Sequence, residues 1–140
     1  MTDNSSKTKT VDRNHPGFNK NAEPFFNIVM EGLKEYTDGE HFWDAVAEDA
    51  VFEFMYNVPG FTDKIVGREA YMDWFGGYPT HLQLADGLII TKTINPEEVV
   101  LEYAVHAKGY DNRFCSIVKL KDRKIVHWKD YADSLAMVGG

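Results

Sequence analysis

Between residues 114 and 133 the chain reads FCSIVKLKDRKIVHWKDYAD, alternating apolar and polar positions, turning at Asp122-Arg123, and alternating again. Period-2 alternation on both sides of a polar turn predicts a β-hairpin. On its second arm the alternation assigns Val126, Trp128 and Asp130 to one face, and Ile125, His127, Lys129 and Tyr131 to the other. Two further strands are predicted at 82–94 and 99–108, joined by an Asn95-Pro96 turn, the first with a bulge near Asp86-Gly87.

The amino-terminal half has helical spacing. Phe25, Phe26, Val29, Leu33 and Tyr36 recur every three or four residues, which predicts a helix opened by Pro24 and stopped at Asp38-Gly39. A shorter helix is expected at 40–47, with Phe42, Trp43 and Val46 apolar and His41 on its surface. Residues 50–56, AVFEFMY, read as a strand with Phe52, Phe54 and Tyr56 on one face. A loop at 57–66 leads to a third helix opened at Gly67-Arg68-Glu69, with Tyr71, Trp74 and Phe75 on its apolar side, ended by Gly76-Gly77. Residues 1–22 are polar and predict a disordered or loosely docked arm, with Phe18 as the candidate to pin it to the body; 23–140 form one domain. Helices gathered before a run of strands imply an α+β fold. The expectation is a curved antiparallel sheet forming a cone, with three helices on its concave face and an open mouth as the ligand site.

Composition narrows the partners. A net charge of −7 argues against nucleic acid and against anionic lipid. The first 15 residues contain no apolar signal core, and no run approaches the roughly 18 apolar residues of a membrane span, so a cytoplasmic protein is expected. The single cysteine, Cys115, forms no internal disulfide and is assigned away from the cavity. The histidines, at 15, 41, 81, 106 and 127, show no zinc spacing, and neither a phosphate-cradling glycine loop nor a G-x-S-x-G elbow occurs. No cofactor and no metal are therefore expected. Acid–base chemistry by carboxylates, histidines and tyrosines remains.

Asp130 has three readings: a cavity acid, a partner to a basic neighbour, or a strand end in solvent. Among Phe52, Phe54, Tyr56 and Trp128 its carboxyl would lose solvation and its pKa would rise, as a general acid or base requires. Tyr56 and Tyr103 are candidates for orienting a substrate oxygen, or are core aromatics with satisfied hydroxyls. His106 is assigned to the face opposite Tyr103, and a one-residue slip would exchange the two. His81, beside a turn and Trp74, is a candidate for the cavity mouth. Trp74 either roofs the cavity or locks its helix to the sheet.

The element order, the GREAYMDWF helix and the ending YDNRFCSIVKLKDRKIVHWKDYAD resemble the SnoaL-like branch of the nuclear-transport-factor-2-like superfamily. That branch includes polyketide cyclases and relatives of limonene-epoxide hydrolase and ketosteroid isomerase. The resemblance spans roughly residues 24–133, and the fold hosts many unrelated activities. It places Asp130 at the acid position of the cyclases and epoxide hydrolases. Ser116 stands where the cyclases carry a histidine. Phe52 and Phe54 replace the Tyr and Asn that hold water in the epoxide hydrolases, whose Arg-x-Asp would fall near Tyr103 to Val105 and is missing. The isomerases' basic Asp would fall near Phe54.

The function implied is a small acid–base enzyme (isomerase, cyclase, dehydratase or hydrolase) acting on an apolar polycyclic or terpenoid-like molecule. The alternative is a non-catalytic binding or interaction module of the same fold. The resemblance also implies a homodimer through the outer sheet face, with Val100, Ala104, Ile117 and Ile125 on it.

Overall fold

The computed structural model describes residues 11–138. A 3-10 turn at Lys20–Ala22 runs into α1 (Glu23–Leu33), followed by α2 (Phe42–Ala45), β1 (Val46–Phe54), β2 (Lys64–Val66) and α3 (Arg68–Gly76). Four long strands complete the body, β3 (Leu82–Lys92), β4 (Glu98–Ala107), β5 (Tyr110–Lys121) and β6 (Lys124–Ala132), and α4 (Ser134–Val138) closes it. The strands form one curved, unclosed six-stranded sheet in the order β2-β1-β6-β5-β4-β3. The architecture is α+β, with the helices packed against the sheet.

One pairing departs from the antiparallel expectation: β1 runs parallel to β6. One helix and four strands separate these neighbours in sequence, so no hairpin constrains their direction. The parallel register sets Phe54 beside Asp130. The expected second helix shrinks to four residues because His41 and Asp44 close a capping box at once and the chain turns extended at Val46. Both β2 and α4 fall where loop and tail were expected; each is too short to show a period.

The face assignment on β6 also needs correction. A bulge between Lys119 and Leu120 shifts the β5–β6 register. Ile125, expected on the outer face, is instead fully buried with Trp128, while Val126 is only half-buried. An extra residue inverts the alternation beyond it, which no single-strand pattern displays. The two turn residues, Asp122 and Arg123, both adopt left-handed φ, at 52° and 64°, as two-residue hairpins require.

Of the arm expected to be disordered or loosely docked, residues 11–22 are docked on the body; residues 1–10 lie outside the described residues. The Arg13 guanidinium grips Asp44 with hydrogen bonds of 2.8 and 2.6 Å. Burial pushes the Asp44 carboxyl up, but Arg13 and the backbone N–H groups of Val11 and His41 outweigh it and hold the pKa at about 2. His41, expected on the surface, packs its ring 4.5 Å from that of Phe18 and 4.8 Å from that of Phe26. Burial, then the charge of Arg13, lowers its pKa to about 4.

Gly17 is buried where the arm crosses α3, and its carbonyl accepts from the Trp43 indole at 2.9 Å. A Cβ there would lie 2.8 Å from Met72 Cβ and 2.8 Å from the Met72 carbonyl oxygen. Gly17→Ala is therefore expected to cost about 1–3 kcal/mol by overpacking. Thermal unfolding checks this: an unchanged midpoint would show that the arm contributes nothing to stability.

Candidate active site

The chemistry of the site begins with strand register. Ser116 on β5 lies directly opposite Asp130 on β6, and Leu101 on β4 lies opposite Ser116. Tyr103, two residues along, is therefore diagonal to Ser116 and within reach of it. The parallel partner of Asp130 on β1 is Phe54, and two residues later Tyr56 turns back over the carboxyl.

The result is a hydrogen-bonded chain around one carboxyl group. Tyr56 Oη donates to Asp130 Oδ2 at 2.6 Å, and Ser116 Oγ donates to Asp130 Oδ1. Tyr103 Oη lies 3.0 Å from Ser116 Oγ. Since Ser116 gives its one proton to the carboxylate, Tyr103 must donate to Ser116. A third donor, the Trp128 indole N–H, also stabilises the charge, yet has no partner in hydrogen-bond geometry and is the orphaned buried side-chain polar atom among the described residues.

Asp130 is 4% exposed. Burial raises its pKa to about 6, against the downward pull of Ser116, Tyr56 and Trp128. The surrounding phenols stay protonated: burial first, then the Asp130 charge, pushes Tyr56, Tyr71 and Tyr103 far up. One group that titrates near neutrality sits among neutral donors, which is the electrostatic setting of a general acid–base residue.

Asp130 opens into a cavity of about 460 Å³, within the ~300–1,000 Å³ range of small-molecule sites. Of the residues expected there, Tyr56, Phe54 and Trp74 line it with Asp130. Trp128, Ser116 and Tyr103 lie behind the acid, and Phe52 is wholly buried against the Tyr71 ring at 4.1 Å. His81 is exposed, its Nδ1 3.0 Å from Asn21 Oδ1, and does not line the cavity. Much of the wall comes from residues the strand pattern did not single out: Phe25 on α1, Phe61 in the β1–β2 loop, Tyr78 after α3, Tyr110 and Phe114 on β5, and Met137 on α4. Phe114 and Tyr110 share the inward parity of Ser116 on β5, the one signal that would have exposed them.

Other chemistry is weaker. A second concavity of about 510 Å³ is lined by Asp86, Glu102, Asp111 and Asp133, and its histidine, His106, has both nitrogens engaged, by Asp111 at 2.6 Å and Asp86 at 2.9 Å. His15, Glu69 and Asp73 group closely enough to suggest a metal. However, His15 Nδ1 accepts the Gly17 N–H at 2.8 Å, so the ring proton sits on Nε2, which donates toward the acids and cannot ligate. The Cys115 thiol is pushed up by burial and is a poor nucleophile.

Comparison with known proteins agrees with this architecture. The uncharacterized protein YesE of Bacillus subtilis (strain 168) is 26% identical over 118 residues, covering 79% of this chain and 76% of its own. A crystal structure from Bacillus subtilis, provisionally named an isomerase, superposes with a TM-score of 0.63 at 25% identity, covering 89% of this chain and 96% of that one. A phenazine biosynthesis-related protein from Pseudomonas aeruginosa shares the fold at 14% identity, with a TM-score of 0.61 over 88% of this chain and 87% of that one. Residues 30–128, from the end of α1 into β6, match the SnoaL-like domain, and the chain belongs to that family.

Proposed function

We propose that the protein is a small cofactor-independent acid–base enzyme, of the isomerase, cyclase, dehydratase or hydrolase type, acting on an apolar polycyclic or terpenoid-like molecule. The observation that carries the reading is Asp130, buried, poised near pH 6 and open to an aromatic-walled cavity. The deprotonated carboxylate removes a proton from a carbon or a water, Tyr56 and Ser116 hold its charge, and the acid returns the proton. Several structural neighbours are named as isomerases or polyketide cyclases, which adds support at the level of the fold.

Proton abstraction can be tested before the natural reaction is known. Rigid polycyclic ketones in deuterated buffer should exchange their α-protons faster with the protein than without it, with a rate rising through about pH 6. Ketones that bind in the cavity yet exchange only at the buffer rate would favour the binding-module reading.

We further propose a homodimer through the outer sheet face. Leu84 and Ile89 are about half exposed there and Val100, Ala104 and Ile117 are half-buried, an apolar stripe despite the loss of Ile125 to the core. Sedimentation should give twice the chain mass at micromolar concentration; a monomer would sink the idea. Among the described residues no helix is long and apolar enough to cross a membrane, and a cytoplasmic location is consistent with this.

A further inference from the structure

Building on the cavity as an acid–base site, we propose that the substrate carries an anionic group, a carboxylate or its equivalent, that docks at the mouth against Lys108 while its ring system extends inward to Asp130.

Among the described residues, two lining side chains carry a formal charge at neutral pH, Asp130 and Lys108. They sit at opposite ends of the wall. Lys108 lies in the β4–β5 turn beside Tyr110, whereas Asp130 faces Ser116. Tyr110 and Ser116 are six residues apart along β5, on the order of 20 Å of extended strand before the curl of the sheet shortens the gap. A molecule that fills the cavity spans both charges.

The two charges are not equivalent. Asp130 has both oxygens hydrogen-bonded inside the protein, by Ser116 and Tyr56. Lys108 is exposed and makes no ion pair among the described residues. Asp111, three residues along the chain, and Asp86 on β3 both engage His106. Beside it, the Tyr110 hydroxyl accepts from Asn112 Nδ2 at 3.0 Å, which leaves its own proton free to donate. An ammonium and a phenol donor at one edge suit the two oxygens of a carboxylate. An anion pushed to the inner end would meet the Asp130 charge, so the same arrangement sets the direction of binding.

A matched set of ligands tests this by calorimetry at low ionic strength and pH 7.5: 2-naphthoate, 2-naphthamide and 2-naphthylmethylammonium. The expected order puts naphthoate about 3–10-fold tighter than the amide, the range of a partly exposed charge contact. Salt should shrink the gap. Lys108→Met, at an exposed turn, should erase the preference and leave amide affinity unchanged. Equal binding of naphthoate and amide, an ammonium that binds tightest, or a preference that survives Lys108→Met would each overturn the proposal while leaving the acid–base reading intact. Failure of all three to perturb the Trp74 indole resonance would overturn both, since Trp74 lines the cavity.

Discussion

Asp130→Asn should reduce catalysed exchange or turnover by roughly 10²–10⁴-fold while ligand affinity stays near that of the wild type. The size follows from what positioned proton transfer contributes. The selectivity follows from geometry. The amide keeps the volume of the carboxyl and can still meet Tyr56 and Ser116, so the aromatic walls that bind the ring system are undisturbed. What disappears is the single lining group that titrates near neutrality. The pH profile separates this role from a structural one: the wild-type rate should rise through about pH 6, where Asp130 ionises, and the residual rate of the variant should lack that step. Wild-type turnover by Asp130→Asn would reduce the acid to a structural residue.

The same substitution should stabilise the protein above pH 7. The folded pKa of Asp130 is raised from 3.8 to about 6 by burial. A raised folded pKa contributes stability that is fully present below the unfolded value and lost as pH rises through the folded one. Two pH units at about 1.4 kcal/mol each put the loss at roughly 3 kcal/mol above pH 7. Asn carries no charge to desolvate, so the variant should gain up to that amount at pH 7.5, on the order of 10 °C in Tm, and almost nothing at pH 4. His41 works in the opposite direction: its folded pKa of about 4 means that stability is lost as pH falls below 6.5 toward 4. Because both proteins retain His41, the difference between their melting curves isolates Asp130. A variant less stable than the wild type at every pH would mean that the ionised carboxyl holds the strands together more than its burial strains them. The expected gain is the signature of a residue kept for chemistry at the expense of stability.

Short-range patterns were enough for a large part of this molecule. Period-2 alternation determined the long strands and the hairpin turn at Asp122-Arg123, and the three- and four-residue spacing of Phe25, Phe26, Val29 and Leu33 determined the first helix. The same alternation set Trp128 and Asp130 on one face of their strand. These features are local: each is written in a few consecutive residues and survives whatever the rest of the chain does.

Only the tertiary structure decided what surrounds the acid. The bulge at Lys119/Leu120 took Ile125 from the outer face to the core, because a bulge is a property of two strands in register and not of either alone. The parallel pairing of β1 with β6 brought Phe54 alongside Asp130 and let Tyr56 reach it, across a sequence separation that no local pattern encodes. Register across β4, β5 and β6 linked Tyr103 to Ser116 to Asp130, making the serine a donor to the carboxyl. Most of the cavity wall came from scattered aromatics on α1, α3 and β5, with Met137 added from α4, and their spacing fits core packing equally well. Sequence alone thus determined that an acid would lie beside a tryptophan on an inward strand face. Its protonation near neutrality was decided by long-range packing, because the energy of a buried charge depends on every neighbour that replaces water, and those neighbours arrive from all over the chain.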